Sequence, residues 1–376
     1  MSDTAPDQAP GAPHPRDTEQ LFGQDSAQAA FLDAFNQDRL HHGWLITGPR
    51  GVGKATLAWR IARFLLATPP DDGGMFAAPK PGSLDISPDH PVSRRMLAGG
   101  EPGLASIIRT VDEKTKNLRA QIVVDDVRKL NRFFGLSATD GGRRVVIVDA
   151  ADEMNINAAN ALLKMLEEPP ARTTLLLISH QPSRLLPTIR SRCRSLRLNS
   201  LDPQNMQRAL DQTGTQTGTQ TPNQPEALTA LADGSVGTAL RLINLGGLEI
   251  YGELIALLAS LPQLDRPRAQ KLADAAATRG ASERFDLLLM LIDIALSRLA
   301  RTGATGAAPT PQAARNEAET LQRLAPTPHS GRAWAEAAAQ ITQRLRHGQA
   351  VNLDPAALVL DTVFRMQDTS RQANSL

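Results

Sequence analysis

The stretch GPRGVGKATLAW, residues 48–59, decides the fold of this chain because it nearly matches a phosphate-binding loop. The pattern G-x-x-x-x-G-K-[ST] is met by Gly48, Gly53 and Lys54, and it fails at Ala55. A short apolar run, HHGWLIT, precedes the loop, and apolar residues recur at helical spacing after it. Strand, glycine loop and helix in this order are the context of a P-loop, although an ordinary tight turn is the alternative.

The loop retains most of the groups that bind phosphate. A P-loop uses converging backbone N–H groups, the amino end of a helix and one lysine, and Gly48, Gly51, Gly53 and Lys54 can supply them. The hydroxyl that coordinates magnesium is missing at residue 55. Thr56 is the nearest substitute, but one residue along a helix rotates a side chain by about 100°. We therefore expect at most weak ATP or ADP binding, and no certain cofactor.

Two further apolar runs, RRVVIVDA (143–150) and TTLLLIS (173–179), have the continuous apolar character of parallel strands covered on both faces. Between them, NAANALLKMLEEPP has apolar residues at i, i+3, i+4 and i+7, which predicts a helix that Asn157 can cap. Alternating strands and helices predict an α/β fold with a doubly wound parallel sheet.

The run 143–150 contains an acid at the expected end of its strand. In P-loop proteins such an aspartate holds magnesium, so Asp149 is the expected second half of the site. The alternative is a carboxylate that merely ends a strand. The candidate nucleotide-binding residues are Gly48, Gly51, Gly53, Lys54, Thr56 and Asp149.

Composition shifts along the chain predict its organisation. Residues 1–18, rich in Pro, Ala and Asp, are predicted to be a disordered tail. Residues 68–105 are rich in Pro, Gly and Asp and are predicted to form a long irregular insertion. Two low-complexity stretches, TGTQTGTQTPNQP (213–225) and GATGAAPTPQ (303–312), are predicted to be mobile connectors. The remainder after residue 200 has helical character.

The bulk composition excludes several classes of protein. A formal net charge of +2 is too small to make the whole surface bind nucleic acid, and 3% aromatic residues argue against serial base stacking. The single cysteine, Cys193, excludes an intramolecular disulfide and a Cys₄ or Cys₂His₂ zinc site, so we expect no metal. Residues 1–18 show no signal-peptide pattern and no run is long enough to span a membrane, so we expect a cytoplasmic protein without membrane contact.

Several motifs together resemble the bacterial DNA polymerase III clamp-loader family. NAANALLKMLEEPP carries the family's NALLK-LEEPP signature, and SRCRSLRL carries its Ser-Arg-Cys motif at Ser191, Arg192 and Cys193. LFGQDSAQAAFLDAFNQDRL resembles the amino-terminal segment, and ADGSVGTALRL resembles a helix of the second domain. The resemblance covers about residues 20–245. It implies a AAA+ P-loop domain (19–199), a small helical lid domain (200–246) and an all-α collar domain (247–376).

The chain departs from the ATP-hydrolysing members of this family, gamma and tau, at three positions. Ala55 replaces the P-loop hydroxyl residue, Ala150 replaces the glutamate after the strand aspartate, and Gly237 replaces the arginine of the GSxRxAL helix. Glu153 is a poor substitute for the missing glutamate. The pattern resembles the non-hydrolysing delta-prime subunits. Many of these retain a cysteine zinc module, so its absence here is a departure that bears on residues 68–105.

The surviving Ser-Arg-Cys motif implies a role at a subunit interface. In the family, its arginine reaches the γ-phosphate in the neighbouring subunit's site, so Arg192 is the candidate catalytic residue in trans, an arginine finger. The alternative is one of several solvated basic residues. Cys193 is interpreted as a packing residue rather than a nucleophile. Ser179 matches the family's sensor position. Five arginines between residues 184 and 197 favour an acidic neighbour over DNA, because stacking aromatic residues are absent.

Three hypotheses arise from these residues. The first is a non-hydrolysing clamp-loader subunit, with no ATPase activity by itself, as a component of the DNA polymerase III holoenzyme. Its implied partners are gamma/tau and delta and, through the complex, the sliding clamp and primed DNA. The second is an active AAA+ ATPase of the gamma/tau type, in which Thr56 and Glu153 rescue the site. The third, an unrelated P-loop kinase, is disfavoured by the Ser-Arg-Cys motif and the helical carboxyl-terminal part.

Overall fold

The fold is taken from a computed structural model that describes most of the chain. The described residues are 8, 12–68, 80–112, 114–115, 117–135, 142–214, 224–278, 280 and 282–373. They divide into two compact units, residues 1–215 with 235–237, and residues 216–234 with 238–376. The finer division into P-loop, lid and collar domains stays a prediction.

The first unit contains a five-stranded parallel sheet in the order β2-β3-β4-β1-β5. Its strands are β1 (Gly43–Thr47), β2 (Leu104–Ile108), β3 (Arg144–Asp149), β4 (Thr173–Ser179) and β5 (Arg194–Arg197). This sheet confirms the predicted α/β class and the three predicted apolar strands, β1, β3 and β4. Sequence reasoning missed β2 and β5, which are the two edge strands. Both are mostly not buried. β5 has one apolar residue, whereas β2, LASII, is apolar but adjoins a segment rich in Pro, Gly and Asp that indicates irregular structure.

Seven helices accompany the sheet in the described part of the first unit. They are α1 (Asp25–Asn36), α2 (Lys54–Ala67), α3 (Pro91–Leu97), α4 (Val124–Gly135), α5 (Ile156–Glu167), α6 (Pro187–Ser191) and α7 (Pro203–Gln212). One face of the sheet packs against α4 and α5, where Leu45 and Val146 meet Leu130 and Leu162, none of them more than 2% exposed. This core fixes the positions of the strand ends that carry the candidate site.

Helix α5 begins earlier than the sequence predicts. Asn155, not Asn157, is its N-cap, because the Asn155 Oδ1 accepts a hydrogen bond of 2.9 Å from the backbone N–H of Ala158. Asn155 also has the extended backbone of an N-cap, whereas Asn157 already lies within the helix. Of the predicted apolar face, Leu162 and Leu166 are buried and Leu163 is only partly buried.

The irregular insertion predicted for residues 68–105 is partly wrong. Residues 91–97 form α3, which begins with a proline and is capped by the His90 imidazole, whose Nδ1 accepts from the N–H of Val92. The last two residues of the segment already belong to β2. Residues 69–79 lie outside the described residues.

The disordered tail predicted for residues 1–18 is described only in part, since residues 1–7 and 9–11 are not. Residues 12–18 take a defined course that differs from the expectation. The His14 imidazole is buried and meets the Trp59 ring edge-on at 5.6 Å between centroids. Arg63, on α2, donates a 2.5 Å hydrogen bond to the backbone oxygen of Arg16. Tertiary contacts with α2 therefore order a stretch whose composition indicates none.

The second unit is all-helical in its described part. Its helices are α8 (Gln224–Ala232), α9 (Val236–Asn244, whose first two residues group with the first unit), α10 (Gly247–Ala259), α11 (Arg266–Ala277), α12 (Ser282–Thr305), α13 (Glu317–Leu324), α14 (Pro328–Ala350) and α15 (Pro355–Ala373). These confirm the predicted helical carboxyl-terminal region. The connector predicted at 303–312 is wrong in its first residues, which continue α12, and the Pro311 oxygen accepts a 2.8 Å hydrogen bond from Arg298. Of the connector at 213–225, residues 215–223 lie outside the described residues.

The described helices were also compared with what a membrane span requires. None of them by itself combines sufficient length with sufficient apolarity. One pair, α9 with α10, meets the length and composition criteria only when taken together, and the two helices are bent by 79° at their junction.

Candidate functional site

The predicted phosphate-binding loop comes after the carboxyl end of β1 and leads directly into α2. Gly51 and Gly53 have φ angles of 72° and 97°, in the left-handed region that residues with a side chain rarely adopt. A Cβ on Gly53 would also lie only 2.5 Å from the Leu21 Cδ1. Gly48 lies at the start of the loop, one residue after the strand. The glycines at these positions are therefore explained by loop geometry.

Lys54 is the first residue of α2, and its ammonium group points back into the loop. The Nζ donates a hydrogen bond of 2.7 Å to the Gly48 oxygen and another to the Pro49 oxygen. The residue is only 3% exposed. Burial lowers the pKa of Lys54 to about 8, although the Asp149 and Asp152 carboxylates oppose this fall. The structure thus brings together Lys54 and the predicted Asp149.

The two residues after Lys54 lie in the first turn of α2. Ala55 offers no oxygen to a magnesium ion. Thr56 is displaced from it by one helical position, a rotation of about 100°. The helix is regular from Lys54 onward, so the loop is not remodelled in a way that would bring Thr56 into the place of residue 55.

Glu153 is held in ion pairs by two arginines. Its Oε1 lies 3.0 Å from an Arg50 guanidinium nitrogen, and its Oε2 lies 2.8 Å from the Arg109 Nε. The Glu153 side chain is 17% exposed. Both carboxylate oxygens have a cationic partner, and these two ion pairs restrain the side chain in its present position.

Two neighbouring polar residues lie at the carboxyl end of β4, of which the sequence predicted only the first. Ser179, the predicted sensor position, is fully buried, and within the described residues its Oγ has no hydrogen-bond partner. His180 comes next and was missed by sequence reasoning, although its place directly after the strand was a usable signal. Burial, with Lys54 and Arg50 nearby, lowers the pKa of His180 to about 4, so its imidazole is neutral at pH 7. The Asp152 carboxylate accepts the backbone N–H groups of His180 and Gln181, at 2.9 and 3.1 Å.

These groups meet at the carboxyl ends of the strands, because β1, β3 and β4 are parallel and end together. A lysine, two aspartates, a neutral imidazole and the start of α2 surround the loop. The loop, the helix end and Lys54 favour an anion there. At the three positions where the hydrolytic groups are missing, Ala55, Ala150 and Gly237 carry no hydroxyl, carboxylate or guanidinium group. The backbone N–H of Gly237 instead donates to the Gly51 oxygen at 3.2 Å.

Arg192 lies at the opposite, amino ends of the strands. It comes after α6 and precedes β5, which pairs with β1 in the register Trp44 with Arg194. That register puts Arg192 level with residue 42, six positions before Gly48, or roughly 20 Å away along the strands at about 3.3 Å per residue. The structure therefore does not bring Arg192 near Lys54 of its own chain.

The Arg192 guanidinium is held in place at these amino ends and is still accessible. Its NH1 donates to the Thr188 oxygen at 3.1 Å and to the Ser191 Oγ at 3.5 Å, and its NH2 pairs with the Glu167 carboxylate at 3.1 Å. The side chain is 39% exposed.

Cys193 packs against the sheet core, as predicted. Burial raises the pKa of its thiol to about 12, so the thiol stays protonated at neutral pH, which disfavours a role as a nucleophile. The remaining arginines of the cluster, at 184, 190, 194 and 197, are exposed. Arg194 covers the Trp44 ring at 5.2 Å, and within the described residues the other three form no ion pair. The described residues also contain no group of three or more possible metal ligands, and the absence of zinc stays a prediction.

Comparisons with known proteins find this chain similar to subunits of DNA polymerase III. Residues 23–202 match the family model described as DNA polymerase III, delta subunit. The DNA polymerase III subunit delta' of Pseudomonas aeruginosa is 45% identical over 40% of this chain and 41% of its own length. The corresponding Escherichia coli protein is 34% identical over 56% of this chain and 57% of its own. The subunit tau of Salmonella typhimurium is 28% identical over 71% of this chain and 39% of its own length. In each case the chain covers less than two thirds of the relative.

Proposed function

We propose that this chain is a non-hydrolysing delta-prime subunit of a clamp-loader complex, because residues 23–202 match the family model described as DNA polymerase III, delta subunit. In that complex it supports the ATP-driven loading of a sliding clamp on primed DNA. It supplies Arg192 as an arginine finger to the ATP site of a neighbouring gamma/tau subunit. Delta is its other subunit partner.

The observation that carries this proposal is the position of Arg192. The residue lies at the amino ends of the strands, whereas the chain's own loop lies at their carboxyl ends. Arg192 therefore cannot contact a phosphate in that loop, and it stays accessible from outside. A guanidinium that neutralises charge on a transferring phosphoryl group acts at contact distance. A phosphate site completed by Arg192 would therefore belong to another chain, which supports the proposal. The exposed Arg190, two residues before Arg192, supports this as the face that meets an acidic neighbour.

The lack of hydrolysis is supported by the loop itself. Ala55 provides no hydroxyl ligand for magnesium, and no carboxylate comes directly after Asp149. Glu153 is paired with Arg50 and Arg109. Lys54 donates to the loop's own carbonyl oxygens. Weak binding of ATP or ADP remains compatible with these groups, and the proposal does not depend on it.

The second candidate is an active ATPase of the gamma/tau type. One specific observation favours it, namely that the tau similarity extends over more of this chain than the delta' similarities do. It requires Thr56 and Glu153 to replace the missing groups, which conflicts with the regular start of α2 and with the ion pairs of Glu153.

The experiment that separates the two candidates measures ATP hydrolysis by the chain alone and by the complex reconstituted with gamma/tau and delta. We expect no turnover by the chain alone. Turnover that Lys54→Ala abolishes would establish the second candidate instead.

In the reconstituted complex, Arg192→Ala should lower DNA-stimulated hydrolysis. An arginine finger is worth about 10³–10⁵ in rate, so the adjoining site should stop contributing. The total rate should fall by at least that site's share. Arg128→Ala, which removes an exposed arginine of α4, is the charge-matched control and should leave the rate unchanged. An equal rate for Arg192→Ala and this control would exclude the finger assignment.

A further inference from the structure

Arg192 forms an ion pair with Glu167, a residue outside the Ser-Arg-Cys motif. Glu167 is the last residue of α5, and its carboxylate forms an ion pair with the Arg192 Nη2 at 3.1 Å. The negative partial charge of a helix carboxyl terminus disfavours a carboxylate there, and a neighbouring guanidinium offsets that cost. Helix α5 therefore ends in an anion whose ion-pair partner is the proposed finger.

We propose that Glu167 is a positioning residue that holds the Arg192 guanidinium in the orientation in which it meets the neighbouring subunit's phosphates. This inference rests on the proposed function of Arg192. Glu167 does not touch the reacting atoms, and it acts only through the arginine.

The two hydrogen bonds and the ion pair of Arg192 show how its guanidinium can be held and still be available. A guanidinium has five N–H donors, and the contacts with Thr188, Ser191 and Glu167 use three of them at most. The Nε is in none of these contacts. A phosphate oxygen can then be bound without first breaking the contact with Glu167.

The exposure of the pair limits the size of the effect. The Arg192 and Glu167 side chains are 39% and 45% exposed, and ion pairs in such places are weak because water screens them. Glu167 therefore biases the long and flexible arginine toward one orientation and does not fix it. The gain is in positioning, which raises the rate of the chemical step.

The test uses the reconstituted complex and the part of its DNA-stimulated ATPase rate that Arg192→Ala removes. Glu167→Gln keeps the size of the side chain and removes its charge. We expect this variant to lower the Arg192-dependent kcat about two- to five-fold, with the KM for ATP unchanged. Glu168→Gln is the matched control, because Glu168 is exposed and forms no ion pair with another described residue. It should leave both constants unchanged.

A double variant separates positioning from a general structural effect. When Glu167→Gln is added to Arg192→Ala, it should cause no further loss, because a residue that acts through Arg192 has nothing left to act on. A further loss in that background, or an unchanged kcat for Glu167→Gln alone, would overturn the inference while leaving the finger in place. If Arg192→Ala itself has no effect, the proposed function fails instead.

Discussion

At the scale of single residues, Lys54 is a buried charged group whose hydrogen bonds are made within the loop. The side chain of a P-loop lysine serves phosphate, yet here it is 3% exposed and donates to the oxygens of Gly48 and Pro49. Burial is the main cause of its lowered pKa. A buried ammonium group that is only partly compensated costs stability, and this cost depends on pH.

The sign of this dependence is set by the two pKa values of Lys54. Its pKa falls from 10.5 to about 8 on folding, so between these values the unfolded chain binds more protons and the free energy of unfolding rises with pH. We expect the native chain to gain up to about 3 kcal/mol over Lys54→Met between pH 7.5 and pH 10. Urea unfolding at several pH values measures this difference.

Two features of that titration serve as checks. Between pH 6 and pH 7 the difference between the two proteins should be constant, because Lys54 is protonated in both states. A difference that stays flat up to pH 10 would show that the ammonium is not desolvated in the folded chain.

At the scale of elements, α12 and α14 of the second unit approach each other closely at two glycines. Gly303 of α12 and Gly331 of α14 lie backbone to backbone. A Cβ on Gly331 would come within 2.7 Å of the Ala304 N and 2.8 Å of the Gly303 carbonyl carbon. Backbone atoms cannot move aside as a side chain can, so these glycines set the distance between the helices.

Gly331→Ala should therefore destabilise the protein even though alanine favours a helix. Overpacking costs about 1–3 kcal/mol, of which helix propensity returns at most about 1 kcal/mol. Gly252→Ala is the matched control, since Gly252 lies within α10 with open space around its missing Cβ, and it should be neutral or stabilising. Thermal unfolding followed by circular dichroism measures both, and equal midpoints for the two variants would contradict the packing argument.

At the scale of the whole molecule, each of the two compact units has its own means of stabilisation. The first is built around the apolar sheet. The second also contains a buried ionic network centred on Glu317, which is not exposed at all. Its carboxylate accepts the Tyr251 hydroxyl at 2.6 Å, the Arg298 Nε at 2.7 Å and the Ala313 N–H at 2.6 Å. The network links α10, α12 and α13 to the segment after α12.

Removing one partner of this network should be costly, because it leaves a buried charge without compensation. We expect Glu317→Gln to lower the free energy of unfolding by about 3 kcal/mol, since Arg298 then has no anionic partner. Asp361→Asn removes an exposed carboxylate that pairs with Arg344 and Arg365, and it should cost less than about 1 kcal/mol. Urea denaturation of both variants tests this, and equal losses would disprove the argument from burial.

The sequence by itself determined the phosphate-loop pattern, the three central strands, helix α5 and the helical carboxyl-terminal part. Apolar periodicity and glycine spacing are local signals, and they report directly which segments must be buried. They failed at β2, β5 and residues 12–18, where short or polar segments are ordered by contacts distant in the sequence. The motif at Arg192 was recognised only through its resemblance to a family.

Only the tertiary structure decided how the site residues relate to one another. It placed Lys54, Asp149 and the unforeseen His180 at the carboxyl ends of the strands and Arg192 at their amino ends, which lie on opposite sides of a parallel sheet. It also paired Glu153 with Arg109 and Glu167 with Arg192. Such pairs join residues far apart in the chain, and no local pattern encodes them because they depend on how the elements pack.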